Sequence, residues 1–373
     1  MVAEALVMGG AEWFLLRQCV YLKQMGHDVH LYVVRPDMVD QRILNQFPDI
    51  KYTAPSLILT RLAVFFDRVL NKLFKKPFLV DILNINKLKG EIRRIKPDAI
   101  HSHLLQTDYK VAKANEGNNI QHVITVHGDY IGHIKDNEEI HIRRLDEVLR
   151  MIDKVAVITA EQQQMLLLHM PELKDKIVKI YNGYPVNEIP VKTTLPGIFT
   201  FGLVARAIPE KGWEPAIEAF LMLNHPDARL SLWGEGPFMD ELKQKYKDPR
   251  IHFGGFTNAP LREVQAMDVG LFPSYYPPES LPTTIIEYLV LHKPVITTAV
   301  GECREMIKYQ DDYAGIVIGM KQGKPDISEL AQAMKRMIDD KAFYRHCVAV
   351  AEKAKEKFEM ATCMDQYIQI YKK

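Results

Sequence analysis

Short runs of apolar, often β-branched, residues recur along this chain, separated by stretches whose apolar positions return every three or four residues. In the first half the runs are 28–34, 98–103, 122–127, 154–159 and 178–181; in the second they are 199–204, 229–233, 251–253, 269–273, 294–298 and 315–318. Several are almost continuously apolar, as expected of parallel strands buried on both faces. The intervening pattern predicts helices, for example over 12–25, 213–223 and 327–338. Alternation of this kind implies doubly wound α/β layers. One sheet of eleven strands would accommodate the runs, but two sheets of five or six fit the length better. Residues 184–196 carry Pro185, Pro190 and Pro196 with little periodicity and read as a linker between domains. In open α/β sheets ligands sit beyond the carboxyl ends of the strands, so two such domains facing each other would enclose a cleft.

The composition narrows the function. The chain has 373 residues, enough for two domains of about 100–200 residues each. Forty-eight basic against 47 acidic residues give a net charge of +1, which argues against nucleic acid as a bulk electrostatic partner. Cys19, Cys303, Cys347 and Cys363 form no CxxC pair and lie at no metal-ligand spacing from histidine. They read as reduced, buried thiols of a cytosolic protein. No secretory signal opens the sequence. No stretch reaches the roughly 20 apolar residues of a membrane span, and the longest, 57–66, is broken by Arg61.

Three loops carry candidate chemistry. Gly9 and Gly10 precede a helix beginning Ala11-Glu12-Trp13, where bare backbone and free amides suit an anion. The second loop, Ala205-Arg206-Ala207-Ile208-Pro209-Glu210-Lys211-Gly212, leaves a strand and enters a helix. Arg206 and Lys211 there would neutralise a diphosphate, the first as a fork and the second as a point charge. The third is Pro278-Glu279-Ser280-Leu281-Pro282-Thr283-Thr284-Ile285-Ile286-Glu287. Pro282 suits the first helical turn, with Ser280 or Leu281 near the cap, and the amides and hydroxyls of Thr283 and Thr284 could hold a phosphate. A carboxylate beside a diphosphate is repelled unless hydroxyls donate to it. Glu287 could accept from ribose and Glu279 from a sugar, although each alone also fits an ordinary helix-start carboxylate.

Glu279-x7-Glu287, the Arg206-x4-Lys211-Gly212 turn and the early Gly9-Gly10-Ala11-Glu12 together resemble the retaining glycosyltransferases of family four, which have the GT-B fold. Further matching segments are Lys96-Pro97-Asp98-Ala99-Ile100-His101-Ser102-His103, Thr125-Val126-His127-Gly128, Tyr181-Asn182-Gly183, Trp233-Gly234-Glu235-Gly236-Pro237 and Gly254-Gly255-Phe256. The ordered set spans nearly the whole chain. The resemblance implies two Rossmann-like domains facing across a cleft. The first, 1–186, would bind acceptor; the second, 187–359, would bind donor; a C-terminal helix, about 360–373, would pack back on the first. It further implies that Arg206 and Lys211 bind the donor diphosphate and stabilise it as leaving group. Backbone around Leu281, Pro282, Thr283 and Thr284 would hold the distal phosphate, Glu287 the ribose and Glu279 the donor sugar. Gly255 and Phe256 would border the base, and Gly9 and Gly10 would approach the phosphates. His127 would stand at the reacting face, with His101 and His103 lining the acceptor side. With His127, Arg206, Lys211 and Glu279 as the catalytic set, the expected reaction is sugar transfer with retention. The donor would be a UDP-sugar first, a GDP-sugar next, and the acceptor a glycan or lipid-linked glycan in surface polysaccharide or glycoconjugate synthesis. No cofactor or metal is called for. A catalytically decayed nucleotide-binding scaffold and a sugar phosphorylase are the alternatives on the same fold.

Three features depart from or add to this pattern. Only Met1–Met8 precede the Gly-Gly loop, and Val2-Ala3-Glu4-Ala5 makes a poor central strand, so the first strand is expected to be truncated or the start to be set late. Ser280-Leu281-Pro282 stands where Gly-Phe-Gly is common in the family, and Pro282 brings no N–H. Residues 59–96 hold ten basic side chains against Asp67, Asp81 and Glu91, interleaved with Leu62, Phe65, Phe66 and other apolar residues. That composition suits either an anionic membrane surface, with the protein peripheral at its cytoplasmic face, or an ordinary amphipathic helix with its apolar side on the core.

Overall fold

The chain divides into two units, Met1–Pro185 with Met360–Lys373, and Val186–Glu359. The structure is a computed structural model and describes residues 1–7, 9–74, 79–127, 130, 139–185 and 197–372. Lys75, Lys76, Phe78, Gly128 and most of the expected linker, with Pro190 and Pro196, lie outside the described residues.

In the first unit, seven strands form one parallel sheet: β1 (Val2–Ala3), β2 (Leu31–Val33), β3 (Tyr52–Thr53), β4 (Ala99–His103), β5 (Gln121–Val126), β6 (Lys154–Val157) and β7 (Ile177–Lys179). Their order is β3-β2-β1-β4-β5-β6-β7, reversing direction between β1 and β4. Every residue of β5 is buried, with Val123, Ile124 and Val126 as its apolar positions and Gln121, His122 and Thr125 as buried polar ones. Two strands exceed the expected five. One is β3, with only two residues. The other is β1, where the sequence suggested an incomplete strand. Val2 pairs with both Tyr32 and Ser102, and Ala3 with Val33, so Val2–Ala3 holds the central position. Neighbours on both edges supply its ladder, including Tyr32 N–H to Met1 O (2.9 Å) and Val34 N–H to Ala3 O (2.9 Å). A cavity of about 440 Å³ borders its amino-terminal end, lined in part by Met1, His30, Ile100 and Tyr371.

The helix Met360–Tyr371 belongs to this unit. Cys363, Met364, Tyr367 and Ile370 share a core with Phe14, Val123, Ala156 and Ile180, and Met360 N–H donates to Tyr184 O (3.0 Å).

The second unit has a six-stranded parallel sheet: β8 (Phe199–Val204), β9 (Ala228–Trp233), β10 (Ile251–Gly255), β11 (Val269–Phe272), β12 (Val295–Thr298) and β13 (Gly315–Ile318). The order β10-β9-β8-β11-β12-β13 reverses between β8 and β11. Phe201, Leu203, Trp213, Ile217, Phe220 and Leu230 anchor its core. Tyr288 is fully buried, and its hydroxyl lies 3.2 Å from Gly202 O, 3.3 Å from Leu271 O and 3.2 Å from Val204 N, joining β8 to β11. The two units are thus both doubly wound α/β layers, the class the alternating pattern implied.

Candidate functional site

A reversal of strand order leaves a crevice at the carboxyl ends of the two diverging strands. In the second unit those strands are β8 and β11, and the two charged loops of the sequence follow them. Gly212 ends the first loop with φ of 77°, and a Cβ there would stand 2.1 Å from Pro273 O. Only glycine lets the two loops approach this closely. Tyr275 N–H then donates to Glu210 O (2.8 Å), and Ser274 Oγ lies 3.2 Å from the same carbonyl. The loops therefore act as one rigid piece.

On that piece Lys211 Nζ lies 2.5 Å from Glu279 Oε2, and Ser274 Oγ donates to the same oxygen at 3.1 Å. The side chains are only 11% and 9% exposed. Lys211 also lies 4.6 Å from the centre of the Tyr276 ring, with the Arg206 guanidinium at 5.8 Å from the same ring. Arg206 is exposed and forms no ion pair among the described residues. Glu279 is held from behind: Gly301, at φ of 53°, would place a Cβ 2.4 Å from Glu279 O, and Glu302 N–H donates to Ser280 O (2.9 Å). Ser274, Tyr276 and Gly301 escaped the sequence reading. A serine and two tyrosines after a strand carry no motif, although an aromatic next to the Lys211 loop was a usable hint.

The helix after this loop is Thr283–Val290. Pro282 is its N-cap, at φ −68° and ψ 118°, rather than the first helical residue expected from sequence. Its extended ψ breaks the helix there, which leaves Thr283 and Thr284 amides in the first turn without intrahelical acceptors. The Thr284 hydroxyl departs from expectation, because it donates to Val204 O (3.1 Å) and so is committed to β8. Leu281 is buried, and Glu287 is buried at 6% exposure. Gly255 and Phe256 stand at the end of β10, two strands from the switch point. Phe256 is 56% exposed there, an aromatic face open to stacking.

In the first unit, Gly9 is the extended N-cap of the helix Gly10–Gln24, with Trp13 N–H bonded to Gly9 O (3.1 Å). Burial raises the Glu12 carboxyl in that first turn above its usual range. His101 and His103 lie on β4 and His127 just beyond β5. His101 has both ring nitrogens engaged, Nδ1 with Tyr371 Oη (2.7 Å) and Nε2 with Thr125 Oγ1 (2.7 Å). His103 Nδ1 lies 2.9 Å from His127 Nε2, while the buried His103 Nε2 finds no partner among the described residues. Burial holds these imidazoles neutral: His127 falls to about 4, His122 to about 3, and His101 and His103 lie well below the usual range. The described geometry thus fits His101 as a structural residue and makes the His103–His127 pair the more suitable one for a substrate.

The same unit holds a polar cavity of about 330 Å³, lined by Glu4, Arg35, Arg68, Asp81, Lys110 and Arg144 among others. Lys110 Nζ lies 3.3 Å from Glu4 and 3.5 Å from Asp81, and Arg144 lies 2.6 Å from Asp81. Among the described residues, no group of three or more His, Cys, Asp or Glu side chains is placed to hold a metal ion.

Known proteins share this fold. The family model "Glycosyltransferase Family 4" matches residues 8–188, and "Glycosyl transferases group 1" matches 198–340. An exopolysaccharide phosphotransferase of Streptomyces coelicolor is 24% identical over 227 residues, 59% of this chain but only 23% of that protein. Among solved structures, a glycosyltransferase from Rickettsia africae superposes with a TM-score of 0.76 at 19% identity, covering 99% of this chain and 96% of its own. HepE of Anabaena, solved in complex with UDP, gives 0.75 at 18% identity, covering 99% and 97%. The two family models divide almost the whole sequence between them, and each falls on one doubly wound unit. The chain has the GT-B fold and is related to the glycosyltransferases of family 4 and to the group 1 glycosyl transferases.

Proposed function

We propose that this protein transfers a sugar from a nucleotide-diphosphate sugar, a UDP-sugar before a GDP-sugar, with retention at the anomeric carbon. The acceptor is a glycan or lipid-linked glycan in surface polysaccharide or glycoconjugate synthesis. The observation that carries this reading is the Lys211–Glu279 pair at the β8–β11 switch point, with the exposed Arg206 beside it. HepE, solved with UDP and with UDP-glucose, supports a uridine donor.

In this reading the ligand-free site is self-neutralised. Donor binding gives Lys211 the diphosphate in place of Glu279 and gives Glu279 a sugar hydroxyl in place of Lys211. Arg206 adds a second cation, and the Thr283 and Thr284 amides take the distal phosphate. Glu287 accepts from ribose, and Phe256 borders the base. As the bond from C1 to the phosphate oxygen breaks, the acceptor oxygen bonds to C1 on the same face. The acceptor proton passes to the departing phosphate oxygen. Each preorganised donor to the leaving group is worth about 3–4 kcal/mol. The chain's own groups then suffice without a metal. His127, neutral above about pH 4, offers a hydrogen bond at the reacting face rather than a charge. The same reading places the protein in the cytoplasm, where its four buried cysteine thiols stay reduced, and at an anionic membrane surface.

A panel of UDP-, GDP- and ADP-sugars, assayed by mass spectrometry with and without lipid-linked acceptors, tests this. The expected result is UDP release that depends on acceptor, with an anomeric configuration matching the donor by NMR. Sugar transfer supported by inorganic phosphate without nucleotide, or an inverted product, would overturn it.

A further inference from the structure

The helix Leu57–Phe74 turns a broad apolar face outward. Thr60 and Asp67 anchor its inner face, beside the half-buried Ala63, Val64 and Leu70. Asp67 is buried, and its carboxylate accepts from Leu79 N–H and Val80 N–H, both at 2.9 Å, capping the next helix, Leu79–Ile95. Thr60 is fully buried, its hydroxyl bonded to Ser56 O (3.0 Å). The apolar side chains Ile58, Leu59, Leu62, Phe65, Phe66 and Val69 point away, from 72% exposed at Ile58 to 43% at Val69. At 3.6 residues per turn they form one continuous outer sector. Arg61, Arg68 and Lys72 fall together along one border of that sector, all exposed. Asp67 is the helix's acidic residue and it faces inward, so the outer surface carries positive charge beside apolar area with no carboxylate of its own.

The following helix differs. Leu88 and Ile92 are buried, and Lys87 and Arg94 are tied to Glu91 at 3.5 and 2.6 Å. The basic composition of residues 59–96 therefore resolves into one ordinary helix and one whose apolar face has no cover among the described residues.

We infer that the outer face of Leu57–Phe74 is a docking surface for an anionic lipid bilayer. Phe65, Phe66, Leu62 and Ile58 enter the boundary between headgroups and acyl chains, and Arg61, Arg68 and Lys72 lie against anionic headgroups. An apolar sector alone would suit a second copy of the chain equally well. A cationic border would repel itself across a self-paired face, whereas it complements an anionic surface. Val64, Asp67 and Arg68 of the same helix line the polar cavity of this unit, so the bilayer would lie against the helix that walls it. This inference narrows the membrane part of the proposed function to one helix face, and it is tested without nucleotide or transfer.

The 373-residue chain is sedimented with phosphatidylcholine vesicles and with vesicles that also contain phosphatidylglycerol, at low and high salt. Wild type is expected to partition onto the anionic vesicles and to lose most of that binding at high salt. The pair Arg61→Gln, Lys72→Gln should weaken partition about 30-fold, from about 1 kcal/mol per basic residue. The pair Phe65→Ser, Phe66→Ser should abolish binding while leaving the thermal midpoint and UDP binding at wild-type values, because both side chains are exposed. Absence of wild type from anionic vesicles at low salt would overturn the inference, as would wild-type binding by the serine variant. So would a wild-type dimer in sedimentation equilibrium that the serine variant converts to monomer, which would assign the face to a second copy.

Discussion

The two units place different chemistry beyond the carboxyl ends of the same kind of sheet, at the β8–β11 reversal in the second unit and one strand past the β1–β4 reversal in the first. Beyond β8 and β11 the polar groups are charged: Lys211 and Glu279 satisfy each other, and Arg206 stands exposed beside Tyr276. Beyond β4 and β5 they are imidazoles that burial keeps neutral, with His103 and His127 sharing a hydrogen bond. Charge in short loops is suited to a phosphate, whose own charge replaces the internal partner. Neutral donors and acceptors on strands are suited to hydroxyls, which bring no charge to compensate. The difference matches each unit to its own kind of ligand group, charged in the second and uncharged in the first.

Arg206 offers the sharpest break of that contrast, since it is exposed and supports no core. Arg206→Ala should lower kcat/KM about 10²–10³-fold with the melting temperature nearly unchanged, checked by steady-state kinetics and calorimetry. A comparable loss of stability would make it structural.

Lys211→Ala tests the pair itself. It leaves the nearly buried Glu279 without its cation, so unfolding free energy in urea should drop by about 3 kcal/mol in addition to the loss of transfer. Adding Glu279→Gln should recover part of that stability but none of the activity. An additive double mutant would show that the two do not act as a pair.

The histidines sharpen the comparison through pH. Their folded values lie below the unfolded value near 6.5, at about 3 for His122 and about 4 for His127. Between pH 6.5 and 4 the unfolded chain binds more protons, so stability is fully present above about 6.5 and falls as the solution is acidified. A tenfold difference in proton affinity between the folded and unfolded chain is worth about 1.4 kcal/mol. Hydrogen exchange should therefore show first-unit amides losing protection before those of the second unit as pH falls to 5. Equal loss in both would remove the contrast.

The smallest effect is expected at Tyr288, which joins β8 to β11 under the charged loops. Tyr288→Phe removes its hydroxyl from Gly202 O, Leu271 O and Val204 N and should cost about 1–2 kcal/mol in chemical denaturation.

The sequence made strands legible where burial on both faces demands apolar and β-branched residues, as in β5, β8, β11 and β12. It concealed β1 and β3, because two residues show no period and their pairing comes from neighbours. The placing of Arg206, Lys211 and Glu279 beyond strand ends was legible, from the apolar runs that stop just before their loops. Their mutual neutralisation was not, since Lys211 and Glu279 are far apart in the chain and meet only because Gly212 lets one loop lie on Pro273. The cap at Pro282 and the inward-facing Thr284 hydroxyl depend on ψ and on the place of Val204, which composition does not encode. Leu57–Phe74 reads as amphipathic either way; only the anchoring of Asp67 to Leu79 and Val80 shows which face is turned outward.

Calorimetric titration of UDP and of uridine into wild type and Arg206→Ala tests most directly whether the second unit grips a diphosphate. The account predicts that wild type binds UDP, that Arg206→Ala binds it at least tenfold more weakly, and that the two proteins bind uridine alike. Equal UDP affinity in both proteins would contradict it.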